Sequence, residues 1–156
     1  MSKIEARLIE LGFPLPEVAK PVAAYVPSVV SGNLVFTSGQ LPFVNGSLPA
    51  SGKVGISDEL LDPATAKDLA RLCALNALAA VKLAIGDLDR VTRVVKVVGF
   101  VASVPEFTGQ PGVMNGASEF LVEVFGEVGV HARSAVGVPS LPLDSAVEVE
   151  LIVEFA

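Results

Sequence analysis

The chain reads as a single α+β domain in which two helices pack on one face of a mixed β-sheet. Three stretches lead to that reading. Between Asp62-Pro63 and Gly86-Asp87, apolar residues recur at helical spacing. Residues 91–104 (VTRVVKVVGFVASV) are a Val-rich run, the composition of a long strand buried on at least one face. Residues 147–155 open with alternating Val-Glu-Val-Glu, the period of a strand with one dry and one wet face.

Ile4 to Leu11 has the spacing of a short amphipathic helix, stopped by Gly12 and the prolines Pro14 and Pro16. With the residues up to about 20 it forms an N-terminal extension to one domain spanning 1–156. Ala24-Tyr25-Val26 and a turn at Ser31-Gly32-Asn33 lead into Leu34-Val35-Phe36-Thr37, whose β-branched and aromatic residues suit a strand. Ser38-Gly39-Gln40 ends that strand, and Asn45-Gly46 marks a tight turn.

Asp62 is an N-cap for the long helix and Pro63 fits its first position. Leu69, Leu72, Cys73, Leu75, Leu78, Ala79 and Leu83 form its buried stripe. After the Val-rich strand, residues 105–112 are expected to be a loop. Met114 to Phe125 should then form a second helix that turns Phe120, Leu121, Val124 and Phe125 inward and stops at Gly126. Ser134 to Val138 and Val147 to Phe155 complete the sheet. Helices on one face leave the other uncovered, and the Val-rich strand is too apolar to meet water, so self-association is expected.

At 156 residues, 51% hydrophobic and 18% charged, the chain is able to bury a core and does not have the composition of a disordered protein. No apolar run has the length of a membrane span, and Met1 to Arg7 lacks the apolar segment of a secretory signal. A cytoplasmic globular protein is the expectation, with no membrane partner. The net charge of -6 opposes broad contact with phosphate backbones, so no nucleic-acid partner is expected. A small anion remains possible where one basic group stands in a recess.

With one histidine and one cysteine, His131 and Cys73, no cluster has the ligand count of a zinc site. No G-x-S-x-G elbow or phosphate-binding glycine loop occurs. Cys73 lies on the apolar stripe and reads as an inert buried thiol. His131 reads as a surface or partly packed residue. Arg133 stands at the mouth of a strand among small and apolar neighbours. A guanidinium there is suited to holding a carboxylate through two parallel hydrogen bonds. Glu148, on the next strand, is the nearest candidate for orienting water. An Arg133–Glu148 ion pair tying two strands together is the alternative.

Arg133-Ser134-Ala135-Val136 resembles the Arg-Ser-x-Val signature of RidA (YjgF) proteins. Leu141-Pro142 and Val147-Glu148-Val149-Glu150 resemble that family's Leu-Pro and Val-Glu-x-Glu closing segment, and Phe36-Thr37-Ser38-Gly39-Gln40-Leu41-Pro42 its Ser-Gly-Gln segment. Asn76 sits where the family commonly has an asparagine. The ordered set spans about Tyr25 to Ile152.

The resemblance implies a chorismate-mutase-like α+β fold assembled as a homotrimer with pockets between subunits. It implies hydrolysis of reactive enamines and imines, of the 2-aminoacrylate and 2-iminopropanoate type, to a 2-oxo acid and ammonia, with no metal or organic cofactor. Arg133 would clamp the substrate carboxylate and Glu148 would position the attacking water. Tyr25, Ser38, Gly39, Asn115 and the backbone beside Ala135 would line the pocket. Tyr25 as core filler, Ser38-Gly39 as a turn and Asn115 as a helix cap are the structural alternatives.

The chain departs from many RidA members in lacking Cys at Ala135 and an acidic residue at Gly137. These small residues are expected to widen the pocket of a longer, divergent subgroup. A 2-oxo acid-binding regulatory trimer is the rival reading. The family's historical endoribonuclease and translation-inhibitor labels supply another, opposed by the acidic charge.

Overall fold

The computed structural model describes residues 2–18 and 24–156; Met1, Ala19 and Lys20 of the extension lie outside the described residues. Helix α1 spans Lys3–Glu10. Ser2 Oγ accepts from the Glu5 amide at 3.1 Å and the Glu5 carboxylate accepts from the Ser2 amide at 3.4 Å. This reciprocal capping satisfies two donors that a helix start leaves free. The amides of Lys3 and Ile4 both donate to the Asp89 carboxylate at 2.9 Å, and Lys82 pairs with Glu5. Helix α1 is thereby docked on the domain.

Strands β1 (Ser28–Ser31) and β2 (Leu34–Thr37) form an antiparallel hairpin about the expected turn. Tyr25 precedes this hairpin and is 49% exposed, which removes its reading as core filler. Helix α2 spans Pro63–Ile85. Asp62 caps it, accepting from the Thr65 amide at 2.9 Å and the Thr65 hydroxyl at 2.7 Å. Leu69, Cys73, Leu75, Leu78 and Ala79 are buried as the stripe requires. Leu72 is partly buried, whereas Leu83 in the last turn is 64% exposed, and nothing in the structure explains that exposure.

Strand β3 runs Val91–Ala102, α3 Gln110–Phe125, β4 Ala132–Val138 and β5 Val147–Phe155. Helix α3 therefore starts four residues before the expected Met114. Pro111 and Gly112 read as breakers in sequence. In the first turn, however, proline lacks only an amide that has no partner in the helix. Asn115 consequently lies inside the helix and is not its cap. Strand β4 begins two residues earlier than expected, at Ala132.

The sheet order is β1-β2-β5-β3-β4, with β3 and β4 parallel and the other neighbours antiparallel. It is a mixed sheet, and α2 and α3 cover one face. On β5 the helix-side residues Val147, Val149, Leu151 and Val153 are essentially inaccessible. The intervening Glu148, Glu150, Ile152 and Glu154 are partly exposed on the other face. Registers place Phe36 beside Ile152, and Phe100 between Glu148 and Val136, so apolar and acidic side chains share that open face. Val29, Phe36 and Val136 are 54%, 40% and 44% exposed. Among the described residues no helix is long and apolar enough to cross a membrane.

The two helices approach closely at Gly116, where an added Cβ would lie 1.9 Å from the Lys67 carbonyl oxygen. Gly116→Ala is expected to destabilise the fold by roughly 1–3 kcal/mol through overpacking. Gly112→Ala is the control, because nothing lies within 4 Å of its added Cβ. There the loss of unfolded-chain freedom should stabilise by about 0.4–1 kcal/mol. Urea midpoints moving in opposite directions for the two variants would bear this out.

Candidate functional site

Among the described residues strand β4 pairs only with β3 and forms one edge of the sheet. Residues two apart on a strand share a face, so His131, just before β4, and Arg133 both turn toward α3. That helix presents Asn115, Ser118, Glu119, Val122 and Glu123 to the same space. The spacing of these residues puts them on neighbouring turns of one helix side. Together with Val130 they line a cavity of about 580 Å³.

Arg133 Nη1 donates to Asn115 Oδ1 at 2.8 Å and to Ser118 Oγ at 3.2 Å. Among the described residues no carboxylate pairs with Arg133, and its Nε and Nη2 have no protein acceptor within hydrogen-bonding distance. The guanidinium is half-buried, oriented from one side and open on the other. This geometry leaves two donors for an incoming carboxylate.

His131 is bonded at both ring nitrogens. Nδ1 lies 2.6 Å from the Gly129 carbonyl oxygen and Nε2 lies 2.9 Å from Ser118 Oγ. A carbonyl only accepts, so in the neutral ring Nδ1 carries the proton and Nε2 accepts from the Ser118 hydroxyl. Burial holds the imidazole below its ordinary pKa, and the Arg133 guanidinium adds to that effect. The Gly129 carbonyl opposes them. The expectation of a partly packed histidine matches its burial but did not include this bonding.

The other expected site residues stand elsewhere. Val97 pairs with both Arg133 and Leu151, whereas Phe100 pairs with both Val136 and Glu148. Arg133 is therefore on the helix face and Glu148 on the open face. One chain does not bring them together, and the ion pair between them does not form. Burial, and then the Glu150 carboxylate, push the Glu148 pKa above its ordinary value.

Gly39 lies against Glu148; a Cβ there would overlap the Glu148 carboxyl group, so a larger residue would displace that side chain. Ser38 donates its hydroxyl to the Val26 carbonyl at 2.6 Å and its amide to the Pro27 carbonyl at 2.8 Å. These bonds tie Ser38 and Gly39 to the segment that carries Tyr25. Tyr25, Ser38, Gly39 and Glu148 thus belong to one neighbourhood, and Arg133 and Asn115 to another. Ala135 pairs with Gly99 and packs toward the core on the helix face.

Gly137 does not line the Arg133 cavity of one chain. A Cβ there would meet Gln110 Nε2 at 2.7 Å and Ser103 Oγ at 2.9 Å, because the Gln110 amide occupies the space. Gly137 instead lines a separate cavity of about 390 Å³ with Ser103, Phe107 and Gln110. Cys73 is fully buried and burial raises its thiol pKa well above the ordinary value, as an inert thiol requires.

Residues 5–155 match the family described as "YjgF/chorismate_mutase-like, putative endoribonuclease". The chain belongs to the YjgF (RidA) family. It is 46% identical over 153 residues to protein TCP17 of Trypanosoma cruzi, covering 97% of this chain and 94% of that protein. Protein Atu1372 of Agrobacterium tumefaciens shares 50% identity and superposes with a TM-score of 0.90, covering 98% of this chain and 92% of that one. Escherichia coli TdcF, solved with bound serine, is more distant. Its identity is 26% and its TM-score 0.65, with 90% of this chain and 94% of that one covered.

The YjgF resemblance identifies Arg133 in sequence but neither Ser118 nor His131. Local signals for both exist: Ser118 is one helical turn from Asn115, and His131 is two residues before Arg133, at the entry to β4.

The Glu148 carboxyl yields a stability prediction. Its folded pKa is raised, so the folded state holds the proton more tightly than the unfolded chain. Stability therefore falls as pH rises from its ordinary value near 4.5 through the folded pKa. Glu148→Gln removes the cost of burying the ionised form. Its urea midpoint at pH 7 should exceed that of wild type, with the gain fading below about pH 4.5. An equal midpoint at pH 7 would count against the buried-charge account.

Proposed function

We propose that the protein hydrolyses small carboxylate-bearing imines and their enamine tautomers, of the 2-iminopropanoate and 2-aminoacrylate type, to a 2-oxo acid and ammonia. The observation that carries this reading is the Arg133 guanidinium, anchored by Asn115 and Ser118 with Nε and Nη2 left open above a cavity of about 580 Å³. A carboxylate docks on that fork through paired charge-assisted hydrogen bonds. The imine carbon, one bond away, is then held where water adds to it. The carbinolamine so formed releases ammonia. Imines hydrolyse in water unaided, so positioning the substrate and a water molecule is sufficient, and no cofactor is needed. The serine bound by E. coli TdcF is a small amino carboxylate and carries the anchoring group this reading requires.

Glu148 positions the attacking water in this proposal, assisted by Tyr25, Ser38, Gly39 and the backbone at Ala135. Arg133 and Glu148 occupy opposite faces of one chain's sheet, so the complete pocket is proposed to form between copies in a cytoplasmic homotrimer. Support comes from the open face, whose Val29, Phe36 and Val136 expose apolar surface that a second copy would cover. A binding module for 2-oxo acids is the second reading, and the same free guanidinium favours it. The acidic rim formed by Glu119 and Glu123 beside Arg133 disfavours a polyphosphate such as RNA.

An amino-acid oxidase generating 2-iminopropanoate, with semicarbazide trapping what remains, tests the reaction. Wild type should lower the trapped imine. Arg133→Ala should lose roughly 1.5–3 kcal/mol of anchoring, about a tenfold to hundredfold fall in kcat/KM, and Arg133→Lys should recover only part of it. Wild-type behaviour equal to the no-enzyme control across several imino acids, together with 2-oxo acid binding, would replace this reading with the binding module. Light scattering of the wild-type protein at the mass of three chains is expected, and the mass of one chain would sink the shared-pocket proposal.

A further inference from the structure

Arg133 Nη1 carries two protons and has two acceptors, Asn115 Oδ1 at 2.8 Å and Ser118 Oγ at 3.2 Å. A guanidinium is planar and rigid. One acceptor on Nη1 fixes a point of that plane and leaves the group free to turn about the bond. The second acceptor fixes the plane, and with it the direction in which Nε and Nη2 offer their protons. Ser118 therefore aims the fork, so whatever holds Ser118 also sets the site.

A serine inside a helix has the carbonyl four residues earlier as a ready acceptor, which for Ser118 is that of Met114. Its hydroxyl is turned elsewhere. Among the described residues its partners are His131 Nε2 at 2.9 Å and Arg133 Nη1 at 3.2 Å. A guanidinium only donates, so the Ser118 proton goes to the ring. Nε2 is able to take it because the Gly129 carbonyl, 2.6 Å from Nδ1, holds the ring's own proton on the other nitrogen. Burial, with the Arg133 charge adding to it, keeps the ring neutral at pH 7. Arg133 donates to Ser118, Ser118 to His131 and His131 to Gly129. Bonds that all point one way strengthen one another.

We infer that His131 is a positioning residue for the substrate carboxylate: by accepting the Ser118 proton it turns the Ser118 oxygen toward Arg133, and Ser118 in turn sets the plane of the fork. This brace rests on the carboxylate clamp of the proposed function, and neither residue contacts the reacting carbon. A substrate carboxylate keeps its charge throughout imine hydrolysis, so donors aimed at it bind ground and transition states alike. Loss of aim therefore raises KM and leaves kcat little changed.

The test compares wild type with His131→Phe, His131→Gln, Ser118→Ala and the double variant of Ser118→Ala with His131→Phe. Imine hydrolysis is measured beside calorimetric binding of pyruvate, the corresponding 2-oxo acid. His131→Phe keeps a flat ring without an acceptor, and Ser118→Ala removes the second acceptor of Nη1. Each should raise KM and the pyruvate Kd about threefold to tenfold, the worth of one net hydrogen bond. His131→Gln, whose amide oxygen is able to accept the Ser118 proton, should recover most of the affinity. The double variant should bind no worse than Ser118→Ala alone, because His131 acts through Ser118. Additive losses, unchanged affinity in His131→Phe, or a fall in kcat at constant KM would each overturn the brace. Pyruvate binding with the expected pattern but no turnover would overturn the hydrolysis reading and leave the brace standing. Neither binding nor turnover in wild type would overturn the clamp and the brace with it. Because His131 is the only histidine in the chain, its ring nitrogens give an unambiguous NMR signal in the unmutated protein. An Nδ1–H tautomer is expected, and an Nε2–H tautomer would overturn the brace whatever the variants do.

Discussion

The close crossing of α3 on α2 governs the rest of the molecule. At Gly116 the two helices approach so nearly that the Lys67 carbonyl occupies the space of a side chain, and Met114 fills the gap above Gly99 on β3. With Met114, Ala117, Phe120, Leu121 and Val124 buried, the rotation of α3 about its axis is set by the core. Asn115, Ser118 and Val122 then lie over the edge strand β4. The same crossover carries the chain from β3 to a parallel β4, so the helix that shapes the cavity also connects the strands that hold Arg133. Packing and site geometry follow from one constraint.

A protein of net charge -6 holds a single arginine at this cavity beside two glutamates. The long-range field does not favour anions, so affinity for one has to come from short-range donors in fixed positions. Asn115 and Ser118 supply that fixity by taking one nitrogen of the guanidinium and leaving the others free. Ser118 is shared between Arg133 and His131, which couples the orientation of the cation to the tautomer of the ring. Glu148 meets a different environment. On the open face it lies against Gly39 and near Glu150, partly desolvated, with no compensating cation among the described residues. The apolar residues of this face favour cover, whereas deeper burial would raise the cost of the Glu148 charge.

Much of the fold is legible from local chemistry. Asp62 and Pro63 mark the start of α2 because an N-cap carboxylate and a first-turn proline act within one turn. The alternation of 147–155 matches β5 to the residue. The start of α3 is harder to read, since Gln110, Pro111 and Gly112 have loop composition and become helical only because the following residues are anchored in the core. Leu83 shares the spacing of the α2 stripe yet meets solvent. Periodicity describes a direction around the helix axis and says nothing about what lies opposite at each turn.

For the site, sequence alone singled out Arg133 through the chemistry of an isolated guanidinium among small residues, and Glu148 as the nearest carboxylate in the following strand. What it left undetermined is the phase between strands. Only the tertiary structure decided that Arg133 aligns with Val97 and Leu151 while Glu148 aligns with Phe100 and Val136. That register depends on hydrogen bonds between distant segments and on two irregularities in the β3–β5 pairing, and a one-residue slip exchanges the faces. The partners of Arg133 were therefore hidden in the sequence: Asn115 and Ser118 reach it through helix packing across 18 and 15 residues, and His131 acquires its bonded proton only when the chain folds back on Gly129 and α3.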